Sequence, residues 1–176
     1  MNRPIATYQR AHQQMPDNFL QRDGVQMSST FATSVHNLHW QRPSQGHFKC
    51  NVDVGFSVAT NRTGICICVR DHEGAFVLAK SISFDVVHSV HVGEALGLYH
   101  AMEWLSDMLF DNVDFETDSK TTHDAFHAHK DDVSEFGHMI AACQSLFTNQ
   151  FTNSQVEFTR RQANAVAHAL AGEALL

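Results

Sequence analysis

Asp53, Glu94 and Asp118 are the side chains in this sequence best placed to do chemistry. Asp53 lies near the end of an alternating run, Glu94 in the first turn of an amphipathic stretch, and Asp118 at the C-terminal end of a short alternating run. A carboxylate near the end of a half-apolar strand is costly unless something compensates for it. Three carboxylates in one place repel and raise each other's pKa unless cations hold them. An oxygen-only donor set of this kind suits Mg2+ (or Mn2+), which takes a few carboxylates plus water and phosphate oxygens. Two such ions about 4 Å apart can activate a water and stabilise the leaving oxygen of an in-line phosphodiester displacement. Each acid also has a plainer reading. Asp53 can face solvent from an edge strand, Glu94 can complement the positive end of its helix, and Asp118 can cap the helix beginning at Ser119. Periodicity alone does not make the three converge.

Around these acids, Arg160 and Arg161 are the best-placed cations for a phosphate contact, with ordinary surface charge as the alternative. Lys120 is a weaker choice. Ser119 and Asn164 are candidates for orienting the site and contacting nucleic acid there, and Asn164 equally fits a helix N-cap. Glu116 shares the strand face of Asp118 and is either a decoy or a supporting group. His123 and His127 stand four apart with His129 following, a spacing that can bind a transition metal, but a solvated helix face explains it better. Phe136, Phe147 and Phe158 read as core. Gly-rich phosphate loops and serine-nucleophile motifs are missing from the sequence.

The elements that must position these groups follow from periodicity. Phe48, Cys50 and Val52 alternate against Lys49, Asn51 and Asp53, with Val54 continuing the apolar face and Gly55 ending the run. Thr63 to Arg70 and Ala75 to Phe84 read as two more strands, joined through the turn Asp71-His72-Glu73-Gly74. Val92 to Phe110 is helical, with Leu98, Met102, Leu105 and Leu109 in one stripe. Val113 to Thr117 is a strand, Ser119 to His129 and Asp131 to Phe147 are helices, Gln155 to Arg160 is a strand, and Asn164 to Leu175 is the last helix. Three antiparallel strands followed by helix, strand, two helices, strand and helix predict an α/β fold: a mixed five-stranded sheet flanked by helices.

The 176 residues suffice for one domain with a real core plus a tail. Residues 1–39 lack sustained periodicity and are expected to be a flexible leader, with a short helix near Pro16 to Gln21; Trp40 opens the domain, which runs to residue 176. Charge is uneven. Residues 1–47 carry four Arg against two Asp, net +2, and residues 48–176 carry eight Lys or Arg against seventeen Asp or Glu, net −9, which together give the overall −7. An acidic domain is a poor electrostatic match for nucleic acid unless bound cations offset it locally. Cys50, Cys66, Cys68 and Cys143 form no C-x-x-C pair and read as small buried thiols of a reducing compartment. With no long apolar run and no secretory signal, the expectation is an intracellular protein of nucleus or cytoplasm, monomeric and off the membrane.

Trp40-x-x-Pro43-x-x-Gly46-x-x-Lys49-x-Asn51-x-Asp53 resembles the opening motif of the plant ribonuclease H-like domain, of the type attached to reverse transcriptases of non-LTR retroelements. The likeness continues through Thr63-Gly64, Val69-Arg70-Asp71-His72-Glu73-Gly74, Gly93-Glu94-Ala95-Leu96, Phe115-Glu116-Thr117-Asp118-Ser119 and Arg161-Gln162-Ala163-Asn164-x-x-Ala167-His168-x-Leu170-Ala171. Each piece is short, but their order and spacing hold over about residues 40–175. The resemblance implies a ribonuclease H-like fold, dependence on Mg2+ and cleavage of the RNA strand of RNA–DNA hybrids. It assigns Asp53, Glu94 and Asp118 to the metal. His168 stands where the family usually has a fourth carboxylate. Imidazole suits softer metals better than Mg2+, so His168 is expected at the edge of the catalytic group as a peripheral ligand or hydrogen-bonding residue. The competing expectation is a domesticated relative that binds nucleic acid or a protein and cuts little or nothing.

Overall fold

Alternating and helical periodicities become six strands and three helices in a computed structural model that describes residues 5–9, 41–128 and 130–161. In chain order they are β1 (Ile5–Gln9), β2 (Phe48–Ser57), β3 (Arg62–Arg70), β4 (Phe76–Phe84), α1 (Val90–Asp107), β5 (Val113–Thr117), α2 (Lys120–His127), α3 (Glu135–Gln150) and β6 (Gln155–Phe158). The expected Pro16–Gln21 helix, His129 and the helix from Asn164 to Leu175 lie outside the described residues.

The sheet order is β1-β4-β3-β2-β5-β6. β2, β3 and β4 form the expected antiparallel meander, and β5 and β6 join in parallel, so the five expected strands make the mixed sheet. β1 adds a sixth strand, antiparallel to β4, from within the stretch expected to be a loose leader. Ile5, Thr7 and Tyr8 are good strand formers, and β4 offers them an edge to pair with.

β2 is central, not an edge strand, and does not stop at Gly55. Gly55 pairs with Gly64, and pairing runs on to Ser57 and Arg62. The β3–β4 turn is closed by Asp71, whose Oδ1 accepts from the amides of Glu73 and Ala75, both at 2.9 Å, while Gly74 takes φ 85°.

One face of the sheet is apolar. Cys50, Val52 and Val54 of β2 with Ile65, Ile67 and Val69 of β3 pack in one core with Leu98, Met102 and Leu105 of α1. α1 begins two residues earlier than periodicity suggested and ends three earlier. Leu109 falls beyond its C-terminus at φ 59° and is 92% exposed, so it leaves the predicted stripe. α1 can lie close to β2 because of its glycines. A Cβ on Gly97 would stand 2.7 Å from Val54 Cγ2 and 3.2 Å from Val52 Cγ1, and one on Gly93 would stand 2.4 Å from the Phe56 ring. Phe56 can swing, but the β-branched Val54 is buried and stiff. Gly97→Ala should therefore destabilise the fold by about 1–2 kcal/mol in a urea titration. Overpacking would outweigh the helix-propensity gain of about 1 kcal/mol.

All four cysteines are free and buried. Burial pushes the thiols of Cys66 and Cys143 up to about 12, and those of Cys50 and Cys68 also upward.

Candidate active site

The second face of β2 and β5 is polar and yet buried. Lys49, Asn51 and Asp53 alternate along β2 and are 5%, 4% and 2% exposed; Asp114 and Glu116 on β5 are 4% and 5% exposed. This corrects the reading of a wet face. The face tolerates burial because its groups are paired across the strands. Nearest the start of β2, His47 Nδ1 lies 3.2 Å from Asp114 Oδ1. One step on, Lys49 Nζ lies 2.9 Å from Glu116 Oε1, and Asn51 donates to Glu116 Oε2. Attraction to Glu116 raises the Lys49 pKa despite burial, which acts against it. Lys49 also reaches Glu157 of β6 at 3.5 Å. Up to that point each acid of β5 has a polar partner on β2 or at the residue just before it.

The last step differs. The parallel pairing ends at Val52 with Thr117, and the next residues on the two strands are Asp53 and Asp118. There, acid is set against acid. The loop into α1 brings the third. Thr63 Oγ1 donates to Val86 O at 2.8 Å and accepts from the His88 amide at 3.0 Å, which ties this loop to the start of β3. Ser89 then starts α1, which places Glu94 beyond its first turn. Complementing the helix end thus does not account for Glu94, since the dipole's effect is confined to the first turn.

Glu94 feels both aspartates. Its pKa is pushed from the ordinary 4.5 to about 8, first by burial, then by the charges of Asp118 and Asp53, with Arg161 opposing. The three predicted acids therefore share one electrostatic environment. Among the described residues, no three His, Cys, Asp or Glu side chains form a ready-made metal cage. The donor set still fits a hard cation: all of its ligands are oxygen, and Mg2+ is usually held by one or two carboxylates with waters and substrate phosphates rather than by protein alone.

The other predicted residues divide. Ser119 is the N-cap of α2: its Oγ accepts from the Thr122 amide at 3.3 Å and lies 2.9 Å from Thr122 Oγ1. Asp118 is therefore not the cap. Arg161 is exposed and acts on Glu94; Arg160 is also exposed. Asn164 and His168 lie outside the described residues. His123 and His127 do meet, with ring centroids 4.6 Å apart, but His127 Nε2 is 2.9 Å from Val156 O and His123 Nδ1 is 3.1 Å from Asp124 Oδ1. Those contacts use one nitrogen of each ring, and among the described residues no third His, Cys, Asp or Glu joins them to make a metal site. Sequence carries no signal for Thr63, Lys49 and Asn51 beyond the family likeness, and Glu116 reads there equally as a decoy or a supporting group. In the structure Lys49 and Asn51 of β2 both meet Glu116 of β5, and Thr63 of β3 ties down the loop into α1.

The profile of the reverse transcriptase-like family matches residues 51–174. The chain belongs to that family. No curated protein matches this reverse transcriptase-like chain. Among solved structures it is similar to the ribonuclease H1 of the halophilic archaeon Halobacterium salinarum, at 20% identity and TM-score 0.65, over 74% of this chain and 98% of the other. It is similar to the N-terminal ribonuclease H domain of a Mycobacterium tuberculosis protein, at 19% identity and TM-score 0.61, over 73% and 93%. A third likeness, at 21% identity and TM-score 0.64 over 73% and 96%, is to LC11-RNase H1, a protein solved in complex with an RNA/DNA hybrid. The reverse transcriptase-like domain thus has the ribonuclease H-like fold that its motifs implied. No helix among the described residues is long and apolar enough to cross a membrane.

Proposed function

We propose that this domain is a divalent-metal-dependent endonuclease that cuts the RNA strand of RNA–DNA hybrids. The observation that carries the reading is the β2–β5 register, which runs to Val52 and Thr117 and so sets Asp53 beside Asp118, with Glu94 of α1 near enough to feel both charges. Asp53, Glu94 and Asp118 are the residues to hold Mg2+ or Mn2+. The chemistry supplied by the bound ions is activation of water and neutralisation of charge on the leaving oxygen in an in-line displacement at phosphorus. The protein's own part is to hold the carboxylates at fixed strand and helix positions. Arg161, close enough to act on Glu94, offers a cation to the phosphate backbone, with Arg160 beside it. Selection of the RNA strand is assigned to its 2′-hydroxyls and to the A-form-like shape of the hybrid. Asn164 and His168 are assigned from sequence alone, Asn164 as a site-orienting residue and His168 as a peripheral ligand or hydrogen-bonding residue. Ser119 takes part through the helix it caps.

The net charge of −9 beyond residue 47 favours a second reading, a nucleic-acid- or protein-binding module without turnover. Labelled RNA–DNA hybrid, single-stranded RNA and duplex DNA incubated with the protein in Mg2+ or Mn2+ separate the two. Cleavage of the hybrid's RNA strand alone is expected. Binding of hybrid without cleavage under either metal would establish the second reading instead.

A further inference from the structure

We infer that Lys49, Asn51 and Glu116 are positioning residues: their buried ion pair and hydrogen bond hold β2 and β5 in the one register that sets Asp53 beside Asp118. The inference rests on the proposed function. Its structural basis is the ladder on the polar face. The Lys49 and Glu116 side chains are 6% and 7% exposed, with nitrogen and oxygen 2.9 Å apart. Asn51, whose Cα partner across the strands is Glu116, donates to the second oxygen of that carboxylate.

Such a pair is a poor device for stability. Taking both charges out of water costs about what their attraction returns, and apolar side chains of similar size often serve as well or better. The best-attested use of a buried polar contact is to fix register. Register is under-specified here by the apolar pattern. β5 has only five residues, and Phe115 and Val113 meet a β2 face of Phe48, Cys50 and Val52. A slip by one residue would turn every side chain to the wrong face and is excluded. A slip by two keeps apolar residues on the apolar face. It would part Asp53 from Asp118 along the strands by about 6.6 Å, two residues at about 3.3 Å each. Either direction of that slip separates Asn51 from Glu116 and His47 from Asp114. The polar ladder therefore carries the information that the apolar face lacks.

The test replaces the network by apolar side chains, Lys49→Met with Asn51→Leu and Glu116→Leu, and reads two quantities. In the metal-free protein, nuclear Overhauser contacts between β2 and β5 report the register. Calorimetric titration with Mn2+ reports the affinity of the acids. The expected result is a melting temperature equal to or above that of the wild type, strand contacts that no longer match the single native set, and Mn2+ affinity at least about tenfold weaker, the scale on which supporting residues act. Native strand contacts in the variant would overturn the inference whatever the metal does. Wild-type Mn2+ affinity in the variant, with Asp53→Asn losing it, would overturn the inference and leave the proposed function standing. Absence of Mn2+ binding in the wild type would overturn both. If the triple variant fails to fold, Asn51→Leu alone is read in the same way.

Discussion

Asp53→Asn should abolish cleavage of RNA–DNA hybrid, by at least about 10³-fold or roughly 4 kcal/mol of transition-state stabilisation, while leaving the fold intact. The substitution is nearly isosteric, so the packing of β2 is kept, but one of three negative donors is gone. Asp53 is 2% exposed and its charge acts on Glu94. In metal-free protein its loss relieves repulsion, so the melting temperature should hold or rise. Asp118→Asn should behave alike, because Asp118 is the larger of the two charge effects on Glu94. Initial rates on a labelled hybrid, with thermal unfolding measured on the same samples, decide the matter. Cleavage within about tenfold of the wild type would place the chemistry elsewhere.

The metal-free protein should lose stability as pH rises, contrary to the usual behaviour of a paired carboxylate. Glu94 holds its proton in the folded state up to about 8, whereas an ordinary glutamate releases it near 4.5. Between these values the folded chain binds more protons than the unfolded one. The contribution is complete below about 4.5 and fades as pH passes through about 8. Glu94 is partly exposed, and after allowance for solvent screening the change is on the order of 2–4 kcal/mol. Divalent cations compete with that proton, so Mn2+ affinity should climb across the same interval and offset the loss of stability. Urea midpoints at pH 5 and pH 8.5, in chelator and in Mn2+, test both halves. A chelated protein whose stability is unchanged between these pH values, or whose Glu94→Gln variant retains the full slope, would contradict the assignment.

The strands were legible because alternation is a local signal: Cys50, Val52, Ile65 and Ile67 all face the core as their spacing required. Helix phase was legible too, from Leu98, Met102 and Leu105. Helix ends were not. Leu109 continues the α1 pattern but is turned out by a positive φ, a choice made by the connection to β5. The three acids were legible as candidates, and their convergence was not, because it depends on which strands are neighbours. The buried polar face of β2 was misread for the same reason. Lys49 and Asn51 look solvated until Glu116, 65 residues beyond Asn51, is placed against them. β1 escaped because five residues make too short a run for periodicity to stand out.

The thiols bring one practical consequence. Cys50, Cys66 and Cys68 sit on the two central antiparallel strands, and Cys143 lies under α1 with its sulfur 3.6 Å from Ala95 O. Sealed from solvent and held protonated, these sulfurs react with an alkylating reagent only when the strands part or α3 lifts. Mass-resolved labelling over time therefore clocks separate openings of sheet and helix in the unmodified chain, with no probe introduced.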